Sequence, residues 1–332
     1  MRQRLSVQDY TDGILSCNRI ILSQAITIIE SRHADDRVIA RQILQNTLHK
    51  TGNSLRIGIT GVPGVGKSTF IESLGKHVTT LGKRVAVLTI DPSSKRSGGS
   101  ILGDKTRMEK LAHDPLAYIR PSASSLSLGG VARNTREAIL LCEAAGFEVI
   151  MVETVGVGQS ETLVKGMTDF FLLLMLAGAG DELQGLKKGI MEMADAIAIN
   201  KADGQNTLAA AIAVQEYTNA LHLFPKSESG FDPRVVSCSA LDGSGINEVW
   251  EMILAFQNIT TSNGYLSKNR QLQNLDWMQD YIRQTLEDKF YEKFSVSKKL
   301  EILEKAVLDG SVLPISAAEE LLEIFFNRKS GQ

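Results

Sequence analysis

From Leu55 onward the chain alternates short, unbroken apolar runs with longer stretches in which apolar residues recur every three or four positions. The runs are "LRIGIT", "RVAVLTI", "AYIR", "FEVIMVE", "FFLLLMLA", "AIAIN" and "RVVSCS". A strand with one wet face alternates apolar and polar side chains, so unbroken runs predict strands covered on both faces. The helical spacing between them predicts crossover helices near 67–81, 131–145, 206–222 and 244–258, which suit right-handed β-α-β units. Together these elements predict an α/β fold over residues 53–261, built on a doubly wound, mostly parallel sheet.

Ahead of the sheet, Leu15, Leu22, Ile26 and Ile29, then Val38, Ile39, Ile43 and Leu48, stand at helical spacing on either side of the charged "SRHADDR". They predict two helices in an N-terminal extension over 1–52. After residue 261 the pattern becomes helical and strongly charged, and Gly310 and Pro314 separate the last two helices of a predicted C-terminal arm, 262–332. The arm carries an apolar and aromatic stripe, Leu275, Trp277, Tyr281, Ile282, Leu286, Phe290, Tyr291 and Phe294. Amphipathic helices usually bury such a face locally, so the stripe is expected to pack within the protein's own assembly, a homodimer interface being one form of this.

Composition narrows the partners. Lys and Arg number 36 against 38 Asp and Glu, a net charge of -2, which supplies no global field for nucleic acid or an anionic membrane. The run "FFLLLMLA" is far short of the roughly 20 residues that a membrane helix needs. The first residues, "MRQRLSVQDYTDG", lack the apolar core of a secretory signal. Cys17, Cys142 and Cys238 are widely separated and form no C-x-x-C pair, as suits a reducing compartment. A cytoplasmic protein with no membrane or nucleic-acid partner is expected.

The candidate chemistry begins at "GVPGVGKST", which is Gly61, Val62, Pro63, Gly64, Val65, Gly66, Lys67, Ser68 and Thr69. It matches G-x-x-x-x-G-K-[ST] and lies between a predicted strand and a predicted helix, the setting that a P-loop requires. Glycines let successive backbone N–H groups turn toward a phosphate, and the new helix adds its positive end. Lys67 is then placed for the β- and γ-phosphates and Ser68 for Mg²⁺.

"INKAD" addresses the base. Asn200, Lys201 and Asp203 fit the guanine-selective N-K-x-D pattern at a strand end, where the Asp203 carboxylate would accept the N1 and N2 hydrogens of guanine. Adenine lacks that donor pair and would leave the carboxylate unpaired at a cost of roughly a few kcal/mol. "SCSALDGSG" follows at 237–245, and its Ser239, Ala240 and Leu241 resemble the S-A-[LK] loop that supports guanine. GTP or GDP, with Mg²⁺, is the expected ligand.

"VETVGVGQSE" resembles the D-x-x-G switch of GTPases, with Glu153 in place of aspartate and Gly156 as the glycine. Ras-like switches carry the water-orienting glutamine directly after that glycine; Val157 stands there and Gln159 is offset, so intrinsic hydrolysis is expected to be slow. Asp91 ends the strand "RVAVLTI" and suits a Mg²⁺ shell, as does Asp104, which as an alternative caps a helix starting at "KTRMEKLA". In "AGAGDELQGLKKG", Lys187 or Lys188 could approach the phosphates.

The combination of "GVPGVGKST", "DPSS", "GGSILGDKTRM", "RPSASSLSLGG", "LLCEAAGFEVIMVETVGVGQSE", "GDELQGLKKGIMEMAD" and "INKADG" resembles the methylmalonyl-CoA mutase-associated GTPases, the MeaB/ArgK family, nearly end to end. The resemblance implies a P-loop GTPase of the SIMIBI class with flanking helices, dimerising through its C-terminal arm. It implies a chaperone for an adenosylcobalamin-dependent acyl-CoA mutase, gating cofactor delivery and protecting or reactivating the mutase with GTP hydrolysis as the timer. Carried over by residue, it implies Asp91, Asp104 and Glu153 as Mg²⁺ and switch positions, Asp203 and Ser239–Leu241 as guanine contacts, and Lys187 as an aid to hydrolysis. Leu126 departs from the glycine common in that family's "SSLSLGG" position. A nickel-insertion GTPase, the first alternative, would carry Cys or His clusters near the P-loop, where Ser, Val and Gly stand. A kinase or ATPase linked to basic amino-acid transport is the second.

Overall fold

A computed structural model describes residues 4–31, 33–90, 108–121, 128–154, 160–178 and 188–326. The chain divides into two compact units, Met1–Gln273 and Asn274–Gln332. In the first unit, seven strands among the described residues form one parallel sheet. They are β1 (Leu55–Gly61), β2 (Val85–Ile90), β3 (Ala117–Pro121), β4 (Val149–Thr154), β5 (Phe170–Leu176), β6 (Ala196–Asn200) and β7 (Arg234–Ser237), in the order β3-β2-β4-β1-β5-β6-β7. The order reverses around β1, the arrangement in which open α/β sheets bind ligands beyond the strands' carboxyl ends. All seven strands coincide with the unbroken apolar runs.

The apolar runs are continuous because both faces of the sheet are covered. Along β2, Val85 and Val87 enter one core with Phe70, Leu74, Trp250 and Phe256, while Ala86 and Leu88 enter the other. Strand β4 splits likewise, Val149 and Met151 to one side and Ile150 and Val152 to the other. The first layer includes α4 (Lys67–Thr80), α9 (Thr207–Leu221) and α10 (Ile246–Ser262); the second includes α1 (Val7–Leu15), α2 (Arg19–Ile29), α3 (Ala34–Thr47) and α6 (Leu128–Ala144), with α5 (Glu109–Ala112) a single turn between them in sequence. Ile14, Leu22, Ile26 and Ile43 are fully buried in that second layer, each side chain contributing about 1.5–3 kcal/mol.

The N-terminal segment therefore holds three described helices where the periodicity predicts two. Leu15 and Leu22 are seven residues apart, so helical phase continues across a real break. At that break Cys17 takes φ +59°, and the Ile20 and Ile21 N–H groups donate to Asn18 Oδ1 at 3.0 and 3.2 Å, capping a new helix.

Two short helices lie between the central strands: α7 (Ser160–Lys165) between β4 and β5, and α8 (Lys188–Met193) between β5 and β6. A long helix, α11 (Tyr265–Glu292), begins in the first unit and continues in the second, which also holds α12 (Phe294–Leu308) and α13 (Pro314–Phe326). The second unit has its own small core of Val296, Leu303, Ala317 and Leu321. Lys293 Nζ closes one end by donating to the Ile324 and Phe325 carbonyls at 3.0 and 2.7 Å.

Candidate functional site

Strand β1 runs up the middle of the sheet and delivers the chain into "GVPGVGKS" at its carboxyl end. Gly61 is required by close approach: a Cβ there would lie 2.5 Å from the Leu174 carbonyl oxygen of β5. Gly66 is required by conformation, with φ +94°, and starts α4 without a side-chain cap. The first-turn N–H groups of this 14-residue helix are thus left for a ligand, as an anion site needs.

Lys67 folds back over the loop, donating to the Gly61 carbonyl at 2.8 Å and reaching Val62 O at 3.4 Å. Burial pulls its ammonium below the usual lysine range, and the carboxylates of Glu153 and Glu161 oppose that shift. Glu153 is placed by register, because Ile59 of β1 pairs with Glu153 of β4. It is buried and accepts from Ser68 Oγ at 3.1 Å. One residue on, Thr154 Oγ1 donates to Thr60 Oγ1 at 2.9 Å, tying the two strand ends together.

The second half of the site hangs on Asn200, the buried last residue of β6. Its Nδ2 donates to the Val65 carbonyl at 2.8 Å, and its Oδ1 accepts the Ala240 N–H at 3.1 Å. One amide therefore fastens the glycine loop to the loop 237–245. Lys201, at φ +60°, sends Nζ to the Gly64 carbonyl at 2.9 Å. Asp203 accepts from Ser239 Oγ at 2.5 Å, and Ala202 N–H donates to Cys238 O at 3.0 Å. Gly245 makes the loop's return, where a Cβ would sit 2.3 Å from Ser237 O. Leu241 is exposed at the rim.

The structure thus brings together the loop from Gly61 to Thr69, Glu153, Asn200, Lys201, Asp203, Ser239 and Ala240. Asp91, Asp104, Gly156, Val157, Gln159, Lys187 and Leu126 lie outside the described residues. Glu161 is the residue that sequence reading passed over. It ends the quoted "VETVGVGQSE", yet nothing in the sequence signals that this carboxylate is buried, at 1% exposure, with its charge acting on Lys67. Among the described residues, no three His, Cys, Asp or Glu side chains form a metal-binding group. No described helix is long and apolar enough to cross a membrane.

A phosphate loop at a topological switch point, joined by one amide to an N-K-x-D strand end, defines a P-loop GTPase, a guanine-nucleotide-binding GTP hydrolase. Within that class, the chain belongs to the methylmalonyl Co-A mutase-associated GTPase MeaB family, which matches residues 22–295. It is 45% identical to GTPase ArgK of Escherichia coli, over 92% of this chain and 92% of that protein. It is 44% identical to the mitochondrial methylmalonic aciduria type A homolog of Mus musculus, over 98% of this chain and 81% of that protein. A crystal structure described as LAO/AO transport system kinase superposes with a TM-score of 0.76 at 36% identity, covering 98% of this chain and 99% of that one.

Proposed function

We propose that this GTPase is the chaperone of an adenosylcobalamin-dependent acyl-CoA mutase of the methylmalonyl-CoA mutase type, gating cofactor delivery and protecting or reactivating the mutase. Support for the partner comes from the family's name and from the names of the relatives. The single observation that carries the nucleotide reading is the Asn200 amide, which holds the phosphate loop and the 237–245 loop in one fixed relation.

In this reading the backbone from Gly61 to Thr69 cradles the phosphates. Lys67 leaves the Gly61 and Val62 carbonyls to bridge the β- and γ-phosphates. Asp203, Asn200, Lys201 and the loop Ser239–Leu241 select guanine. The Ser68 hydroxyl and the Glu153 carboxylate, 3.1 Å apart, are two hard oxygen donors of the kind Mg²⁺ accepts beside phosphate and water oxygens. They fit that ion, with Asp91 and Asp104 as further members of its shell; when bound, it would neutralise charge developing between the β- and γ-phosphates. With Val157 after the switch glycine, hydrolysis is slow alone and is raised by a partner, Lys187 assisting.

The working form is a cytoplasmic homodimer assembled through the helical arm 262–332. Supporting the dimer, Leu275, Met278, Ile282 and Leu286 are each about half exposed on one 28-residue helix, an apolar stripe at spacings of three and four that single chains usually cover. The guanine assignment is tested by competition: unlabelled ATP should fail to displace labelled GTP at equal concentration, and Asp203→Asn should narrow the preference by roughly ten- to a hundredfold. Equal displacement by ATP from the unmodified chain contradicts the assignment.

A further inference from the structure

Two connections leave the nucleotide end of the sheet and return to its opposite end. One leaves β4 after Thr154 and returns through α7; the other leaves β5 after Leu176 and returns through α8. At the far end they meet in a salt bridge. Lys165, the last residue of α7, places Nζ 2.5 Å from Asp195 Oδ2 in the turn between α8 and β6, with side-chain exposures of 26% and 8%. Asp195 is fixed by the start of β5 as well, its Oδ2 accepting the Phe171 N–H at 2.8 Å and its own N–H donating to Phe171 O at 2.9 Å.

The same short helix packs against β1, the strand that leads into the phosphate loop: a Cβ on Gly58 would lie 2.8 Å from Val164 Cγ1. Glu161, in the first turn of α7, is one of the two carboxylates acting on Lys67, and Glu161 and Lys165 are four residues apart, on one face of a helix. The long helix α11 grips the segment just beyond. Gln273 Nε2 donates to the Thr168 and Lys165 carbonyls at 2.8 and 3.3 Å. Arg270 makes a bidentate pair with Asp169 at 2.7 and 2.6 Å, and Asp169 accepts the Arg56 N–H of β1 at 2.8 Å. The Arg270 end is therefore anchored to the central strand, while the Lys165–Asp195 pair joins the last residue of α7 to a turn held by β5.

We propose that Lys165 and Asp195 are positioning residues for the GTPase cycle, forming a latch that makes α7 and the α8–β6 turn respond together to the nucleotide held by the P-loop. It rests on the nucleotide site proposed above. Moving α7 away alone would leave Asp195 a buried carboxylate with the Phe171 N–H as its remaining described partner and no countercharge, a costly state. Burial raises Asp195 toward its neutral form, and the Lys165 ammonium opposes that shift. The latch also lines a cleft of about 820 Å³ with Met191 and Tyr265, which gives Lys165 room to swing away. Coupling between segments requires a contact with two arrangements that a ligand at one end can bias, and the latch is proposed as that contact.

Hydrogen–deuterium exchange on the full chain, with GDP and with a non-hydrolysable GTP analogue, reads the latch directly. In the unmodified protein, exchange in 160–165 and in 188–195 should both differ between the two nucleotides. In Asp195→Asn and in Lys165→Met the difference should persist in 160–165 and be lost in 188–195, and Lys165→Arg should restore it. GDP affinity within about twofold of the unmodified chain, by the same binding isotherm, shows that a variant is folded and loaded. Retention of both differences in Asp195→Asn and Lys165→Met overturns the latch, as does an unmodified chain that binds both nucleotides with no difference in 160–165. A chain that binds neither nucleotide overturns the nucleotide site and the latch with it.

Discussion

At the scale of single residues, the proposed site gives partly buried polar groups partners that a ligand would replace. Lys67 donates to two loop carbonyls, the Ser68 hydroxyl donates to the Glu153 carboxylate, and Asp203 accepts from the Ser239 hydroxyl. Each is a hydrogen bond that keeps a group satisfied without committing it permanently, and the cost of leaving it unmade, about 1–3 kcal/mol at a fully buried site, is smaller at these partly buried groups. Cys238 is different in kind. It sits under Asn200, with its Sγ 3.8 Å from Oδ1, and burial pushes its thiol up from 9.0 to about 12. A thiol whose folded value is raised stabilises the fold fully below the unfolded value near 9 and loses that contribution as pH rises toward 12. Urea unfolding followed between pH 8 and pH 11 should therefore show stability falling with pH, and the fall should be shallower in Cys238→Ala. An equal slope in both proteins contradicts the assignment.

At the scale of elements, β1, β4, β6 and β7 converge so that four strand ends supply the site. Asn200 is the member whose removal reaches furthest, because one side chain serves both loops. Asn200→Ala leaves Val65 O and Ala240 N–H without that partner and should cost about 1–3 kcal/mol of stability, seen as a lower urea midpoint with an unchanged slope; an unchanged midpoint contradicts the bridging role. This convergence was partly legible in the sequence. The strands were legible because a buried parallel strand reads as an unbroken apolar run, as "FFLLLMLA" does. The glycine loop and "INKAD" were legible because their chemistry is local to a few adjacent residues. The break at Cys17 was not, since Leu15 and Leu22 keep helical phase across it. Nor was Glu161, because a carboxylate on a short helix looks like any solvated charge until neighbouring elements enclose it. The Lys165–Asp195 pair was hidden for the same reason: its members are thirty residues apart and meet only when two crossovers return to one end of the sheet.

At the scale of the molecule, a guanine site is built into one compact unit, while the second unit holds a separate helical core. The proposed division of labour follows from this, with the first unit turning over GTP and the helical arm assembling the dimer. Slow intrinsic hydrolysis is what the proposed switch predicts, since valine follows the switch glycine, and under the proposed function the nucleotide cycle would wait for the client mutase. The central claim is therefore tested by measuring GTP turnover of the purified protein alone and after mixing with an adenosylcobalamin-dependent acyl-CoA mutase of the methylmalonyl-CoA mutase type. The account predicts a low basal rate that rises by roughly tenfold or more on mixing, the scale at which a supplied catalytic group acts. A rate that stays at its basal value with every such mutase would contradict it.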